Sequence, residues 1–195
     1  PKGESMPSSI VDHVPAIIRA VQSADPKTVL DVGVGFGKWG HLVREYLDIW
    51  ACRLTPEEWL VQIFGIEGCE EYINPATEYY YDNIHIGYAC EVIKDLEPVD
   101  VVLAIDVIEH QETEAGLVLA WECIAHAKDL AILSIPLGEK WLNANATYKE
   151  RNPFEEHKSA WTESMILELP GCMTIDRFPA PRGDVGVFVF KGDAK

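Results

Sequence analysis

The sequence has no Cys-x-x-Cys pair, no run of Lys or Arg, no long uncharged apolar stretch and no internal repeat. Each absence removes a class of function. The five cysteines (Cys52, Cys69, Cys90, Cys123 and Cys172) are odd in number and widely spaced. They fit free thiols in a reducing cytoplasm better than a zinc site or a disulfide framework. No segment approaches the roughly 18 apolar residues that a spanning helix needs. The opening PKGESMPSSI has no apolar h-region, so a cytoplasmic protein with no membrane partner is expected. Basic residues number 16 against 32 acidic, a net charge of −16, and a phosphate backbone would be repelled by that field. Nucleic acid is therefore an unlikely partner. With no linker or low-complexity tract, residues 1–195 are expected to form a single domain. The sequon at Asn145 reads as an unused surface turn.

Apolar, β-branched runs lie at Thr28 to Val32, Val61 to Ile66, Val99 to Ile105 and Leu130 to Ile135, with a weaker one at Ile84 to Tyr88. Segments of helical period separate them, which implies a parallel sheet covered on both faces. Helices are expected from Ser8 or Ser9, over Lys38 to Trp50, Glu70 to Tyr81, Thr113 to Ala127 and Thr162 to Leu169. Met173 to Phe178 and Val185 to Lys191, joined by a Pro/Gly turn, predict an antiparallel pair. Residues 137–161 have little periodicity and are long for a connection, as functional loops are.

The run Thr28-Val-Leu-Asp-Val-Gly-Val-Gly-Phe-Gly-Lys-Trp-Gly40 takes a strand through a glycine turn into a helix. Gly33, Gly35 and Gly37 let the backbone approach a ligand with no Cβ in the way, and helix amides then face it. Two cofactor readings compete. Gly35-x-Gly37-x-x-Gly40 matches the dinucleotide fingerprint, which seats a pyrophosphate. Asp31, at the strand end, would repel a pyrophosphate and suits a ligand carrying an ammonium group. Glu67 ends the next strand, where an acid accepts hydrogen bonds from ribose hydroxyls; the alternative is a plain surface acid.

Taken together, these pieces resemble the class I S-adenosylmethionine-dependent methyltransferases. Val29-Leu-Asp-Val-Gly-Val-Gly-Phe-Gly37 is similar to that family's first motif, and Gly65-Ile-Glu67 to its second. Asp100-Val-Val-Leu-Ala-Ile-Asp-Val-Ile-Glu-His110 is similar to the fourth, and Ser134-Ile-Pro136 to the fifth strand. The resemblance covers roughly residues 27 to 137. It implies a Rossmann-like α/β fold: a seven-stranded, mostly parallel sheet with an antiparallel C-terminal strand and helices on both faces. It also implies S-adenosylmethionine as cofactor. Gly33 and Gly35 would cradle the methionine end, with Gly37 completing the turn and Asp31 helping to hold the amino group, directly or through water. Glu67 and Gly68 would meet the ribose, and Asp106 and Val107 the region of the sulfonium. The third motif departs from the pattern: Tyr88 stands where many relatives have an acid for the adenine N6, so Tyr88 or Ala89 would replace that contact.

His110 and Glu109 follow the fourth strand, where loops converge on the active sites of such sheets. His110 is either a general base for the acceptor proton or a residue that shapes the loop. His157, in Asn152-Pro-Phe-Glu-Glu-His-Lys-Ser-Ala-Trp161, lies in a segment that resembles acceptor-side loops of some bacterial small-molecule and glycan methyltransferases. Trp141, Tyr148, Phe154 and Trp161 would wall that pocket, or merely pack the loop. Asp106, Glu109, His110 and His157 also resemble the metal-binding set of small-RNA 2′-O-methyltransferases. A divalent metal is not the favoured expectation. The expected function is S-adenosylmethionine-dependent O-methylation of a small-molecule or glycan acceptor with a His general base. The alternatives are an inactive cofactor-binding subunit, a metal-dependent 2′-O-methyltransferase and a nicotinamide-dependent oxidoreductase.

Overall fold

The computed structural model describes residues 8–142 and 152–194; Asn145 and Tyr148 lie outside them. The chain alternates helix and strand as α1 (Val14–Ala24), β1 (Thr28–Val32), α2 (Lys38–Leu47), β2 (Gln62–Glu67), α3 (Pro75–Tyr80), β3 (Asn83–Ile86), α4 (Ala89–Val92) and β4 (Val99–Ile105). It continues with α5 (Thr113–His126), β5 (Ala127–Pro136), α6 (Glu163–Leu167), β6 (Cys172–Ala180) and β7 (Gly183–Lys191). The strands form one seven-stranded sheet in the order β3-β2-β1-β4-β5-β7-β6. The first five run parallel, and β7 enters antiparallel between β5 and β6. This is the Rossmann-like sheet that the sequence implies.

The period-two alternation of the central strands builds two cores. Val29, Val101, Leu103 and Ile132 point to one face and pack with Ile17, Val21, Trp39 and Val43 of α1 and α2. Their neighbours Leu30, Val102, Ala104 and Leu133 point to the other and pack with Leu119, Cys123 and Ile166 of α5 and α6. Strands buried on both faces read as continuous apolar runs, which is why they were visible in the sequence. Among the described residues no helix is long and apolar enough to cross a membrane.

Local chemistry moves several boundaries. α1 starts at Val14, with Pro15 in its first turn, and Ser8 to Ile10 line the cavity described below instead of opening the helix. The expected helix from Glu70 breaks because Asn74 caps a new one: its side chain accepts from the Ala76 and Thr77 amides, with Pro75 at the first position. α2 ends at Leu47 and passes into a 3-10 turn, Ile49–Ala51.

The insertion after α2 is fixed by a buried charge cluster. Arg44 and Asp48 are 1% and 0% exposed and pair at 2.5 Å. Arg44 also donates to the carbonyls of Val61 and Tyr80 and stacks 4.1 Å from the Trp59 ring. Asp48 accepts from Arg53 and the Leu60 amide, and these donors hold its pKa below the usual carboxylate range against the opposing effect of burial. Removing one partner of such a pair strands the other in the interior. Arg44→Met is expected to lower the unfolding free energy by about 3–5 kcal/mol, read by urea denaturation; a loss under about 1 kcal/mol would mean the pair behaves as a surface one.

Candidate active site

The turns after β1, β2, β3, β4 and β5 meet at the carboxyl ends of the strands and open onto a cavity of about 610 Å³. The first is the glycine turn after β1. Gly33 has φ +85°, and a Cβ there would stand 2.4 Å from Val107, so only glycine lets the β1 and β4 turns close against each other. Gly33 and Val34 hang from the Ile66 carbonyl at the end of β2. Glu67 follows, and its two carboxylate oxygens accept the amides of Gly35 at 2.7 Å and Cys69 at 2.8 Å. The acid at the end of β2 thus shapes the glycine turn as well as facing the cavity. Burial raises its pKa, against the amides that lower it.

The sequence-selected residues divide into two groups. Gly33, Gly35, Glu67, Gly68, Tyr88, Ala89, Asp106, Val107, Glu109, His110 and His157 all line the cavity. Asp31 and Gly37 do not. Gly37 caps α2 and faces Thr77. Asp31 is fully buried behind the glycine turn, where its Oδ2 accepts the Tyr81 hydroxyl at 2.5 Å, and that hydroxyl in turn accepts the Gly40 amide. Asp31 therefore does not itself line the cavity, and its carboxylate is engaged by a tyrosine 50 residues away in sequence.

The turn after β4 carries the charged cluster. Asp106 has φ +56°, a strained left-handed conformation for a non-glycine residue, and its Oδ1 accepts the Ser134 hydroxyl at 2.9 Å. Ser134 is also 3.0 Å from Nδ1 of the buried His13. Glu109 is 1% exposed, and neither carboxylate oxygen has a hydrogen-bond partner among the described residues. Burial, then the nearby Asp106 charge, pushes its pKa well above the carboxylate range. Ligand atoms of Glu109, His110 and His157 lie within 4.8 Å of one another. His110 Nδ1 is 3.2 Å from the Glu156 carbonyl, which can only accept, so Nδ1 carries the proton and Nε2 is left basic. Desolvation lowers the pKa of His110 to about 4 and of His157 to about 3, so both rings are neutral at physiological pH.

The loop after β5 reaches this cluster because its backbone is tied to it. The amides of Lys158 and Ser159 both donate to the Glu109 carbonyl, at 2.8 and 3.2 Å, and Trp161 donates to the Ser159 hydroxyl. His157 is thereby set edge-on to His110, with centroids 4.8 Å apart, and stacks near Trp141 at 6.1 Å. The loop's other end crosses to the opposite side of the cavity. Phe154 lies 5.1 Å from Tyr88 and closes over Gly68, where a Cβ would sit 2.8 Å from the ring. Tyr72 donates to Glu155 at 2.8 Å and packs on Phe36. Of the four expected aromatic walls, Trp141 and Phe154 line the cavity, whereas Trp161 is fully buried against Gly116 in the core. Tyr148 lies outside the described residues.

Sequence reading missed Ser9, Lys38, Tyr72, Glu155 and Arg182 as cavity residues. Lys38 was legible, since it follows the last glycine of the turn; the others arrive by tertiary packing. The buried carboxyls also give a pH signature. Burial raises the Asp31 pKa from 3.8 to about 7, only partly opposed by Tyr81. A carboxyl with a higher pKa in the folded state is stabilising when protonated and loses that contribution as pH rises through the interval between the two values. Asp31→Asn keeps an acceptor for Tyr81 and removes the charge. The melting temperature of the variant is expected to gain on wild type by a few degrees between about pH 5 and about pH 8; parallel pH profiles would contradict a buried ionisation here.

No family model and no curated protein matches the sequence. Solved structures do match its fold. Magnesium protoporphyrin IX methyltransferase from Synechocystis PCC 6803, with bound SAM, superposes with a TM-score of 0.62 at 15% identity, covering 93% of this chain and 77% of that one. A SAM-dependent methyltransferase from Archaeoglobus fulgidus gives 0.56 at 17% identity, covering 91% and 92%. The methyltransferase domain of bacterial CtHen1-C gives 0.57 at 17% identity, covering 91% and 96%. The fold is that of the class I methyltransferases.

Proposed function

We propose that the protein is an S-adenosylmethionine-dependent methyltransferase that methylates a hydroxyl oxygen of a small molecule or sugar. The observation that carries this reading is the continuity of one cavity from the glycine turn and Glu67 to the Glu109–His110–His157 cluster. One end suits an adenosyl amino acid, and the other offers groups that can take a proton. A chain with a net charge of −16 is a poor host for nucleic acid, which favours a neutral or cationic acceptor.

In this reading the acceptor oxygen attacks the methyl carbon in line with the sulfonium. The new C–O bond forms as the C–S bond breaks, and its electron pair returns to sulfur, leaving S-adenosylhomocysteine. The acceptor proton passes to Nε2 of His110, the nitrogen left free by the Glu156 carbonyl. The protein's contribution is chiefly alignment and exclusion of water, since sulfonium chemistry demands little new charge stabilisation.

The carrying experiment is calorimetric titration with S-adenosylhomocysteine and with NADH. Binding of the former alone, weakened by about tenfold or more in Glu67→Ala, is the expected result. Binding of NADH alone would transfer the glycine turn to a dinucleotide.

A second reading adds a divalent cation to the same reaction. A buried carboxylate without a hydrogen-bond partner, beside two neutral imidazoles, is a donor set that a cation would satisfy. Glu109, His110 and His157 would hold it. When bound, such an ion lowers the pKa of a ligated hydroxyl and takes over the need for a His base. Under this reading Mn²⁺ binds the wild-type protein by calorimetry, Glu109→Gln abolishes that binding, and EDTA suppresses methyl transfer. Methyl transfer indifferent to EDTA would leave the His-base mechanism standing alone.

A further inference from the structure

In the cofactor reading the glycine motif offers its backbone to the amino-acid end but no cavity-lining acid. Asp31, the residue in the glycine motif chemically suited to an ammonium group, is engaged by Tyr81 and does not face the cavity. A methionine moiety carries both an ammonium and a carboxylate, so the wall beside the glycine turn must offer charges of both signs.

It does. Lys38 is the first residue of α2 and lines the cavity half-buried. Its Nζ donates to the Ser9 carbonyl at 2.9 Å, and no carboxylate among the described residues lies within ion-pair distance of it. The positive end of α2 adds to its potential. Asp106 lines the same wall from the end of β4, with its backbone held in the left-handed region and its Oδ1 fixed by Ser134. Ser9 touches both groups, giving its carbonyl to Lys38 and its hydroxyl to Asp106. A cation and an anion are thus pinned side by side by one short segment, yet neither is spent on the other.

We propose that Lys38 binds the α-carboxylate and Asp106 the α-ammonium of the cofactor's methionine moiety. This rests on the S-adenosylmethionine reading above. The Ser9 carbonyl supplies a second acceptor for the ammonium, and the Ser134 hydroxyl fixes the Asp106 carboxylate at the cavity wall. Residues 8–10 therefore belong to the binding site and are more than a lead into α1. Burial depresses the Lys38 pKa, and the Asp106 charge opposes that shift.

The test uses three ligands on the whole protein: S-adenosylhomocysteine, decarboxylated S-adenosylhomocysteine, and methylthioadenosine, which keeps the adenosine and sulfur but lacks the amino acid. In wild type, removing the carboxylate is expected to weaken binding by about tenfold or more. Lys38→Met is expected to weaken S-adenosylhomocysteine by a similar factor and to leave both carboxylate-free ligands unchanged, with Lys38→Arg recovering part of the loss. Asp106→Asn is expected to weaken both ammonium-bearing ligands and spare methylthioadenosine. Equal losses for all three ligands in Lys38→Met would overturn the assignment and make Lys38 a structural pin for residues 8–10. Equal affinity of wild type for all three ligands would overturn it independently of whether any variant folds. Wild type that binds none of them overturns the cofactor reading beneath it, an outcome distinct from either.

Discussion

Buried negative charge at the carboxyl edge of the sheet is the constraint around which the site is built. Asp31, Glu67, Asp106, Glu109 and Glu155 all come to rest there with pKa values raised by burial. Ionised carboxylates removed from water must be paired, hydrogen-bonded or neutralised. The fold gives each a different solution. Asp31 has a tyrosine, Glu67 has two amides, Asp106 has hydroxyls and Glu155 has Tyr72. Glu109 alone has no hydrogen-bond partner among the described residues. A cationic ligand would relieve this concentration of acidic groups.

The contrast with the Arg44–Asp48 cluster is instructive. There the buried charges are matched, tied to neighbouring backbone and used to anchor an insertion. At the cavity Glu109 is left without a hydrogen-bond partner among the described residues. Fully satisfied polar networks stabilise a particular packing, and unsatisfied ones persist where a ligand completes them. The loop after β5 joins the two ends of the cavity physically. Its Phe154 and Glu155 meet Tyr88 and Tyr72 on one side, and its His157 meets His110 on the other. Residues 154–157 thus link the two ends of the cavity, and the Glu109 carbonyl fixes their position by accepting two amides from the same loop.

The sheet was readable because its strands are buried on both faces and so appear as unbroken apolar runs. The glycine turn, Glu67 and the Glu109–His110 pair were readable because each directly follows a strand, and parallel strands deliver their carboxyl ends to one edge. What escaped detection depended on partners distant in sequence. Asp31 has the right chemistry for an ammonium, but Tyr81 reaches it across α2 and α3, which no local pattern reveals. Ser8 and Ser9 look like helix caps, yet Pro15 and the contacts of Ser9 with Lys38 and Asp106 move the helix start to Val14. Tyr72, Glu155 and Arg182 reach the cavity only through tertiary packing. Lys38 is legible in its place beside Gly37, next to the glycines that carry the motif.

The most direct measurement is a crystal structure of the protein with S-adenosylhomocysteine. The account predicts the ribose hydroxyls on Glu67, the adenine among Gly68, Tyr88 and Phe154, and the sulfur facing the Glu109–His110–His157 cluster. Density for the ligand outside this cavity, or with its sulfur turned away from that cluster, would contradict the assignment of the site.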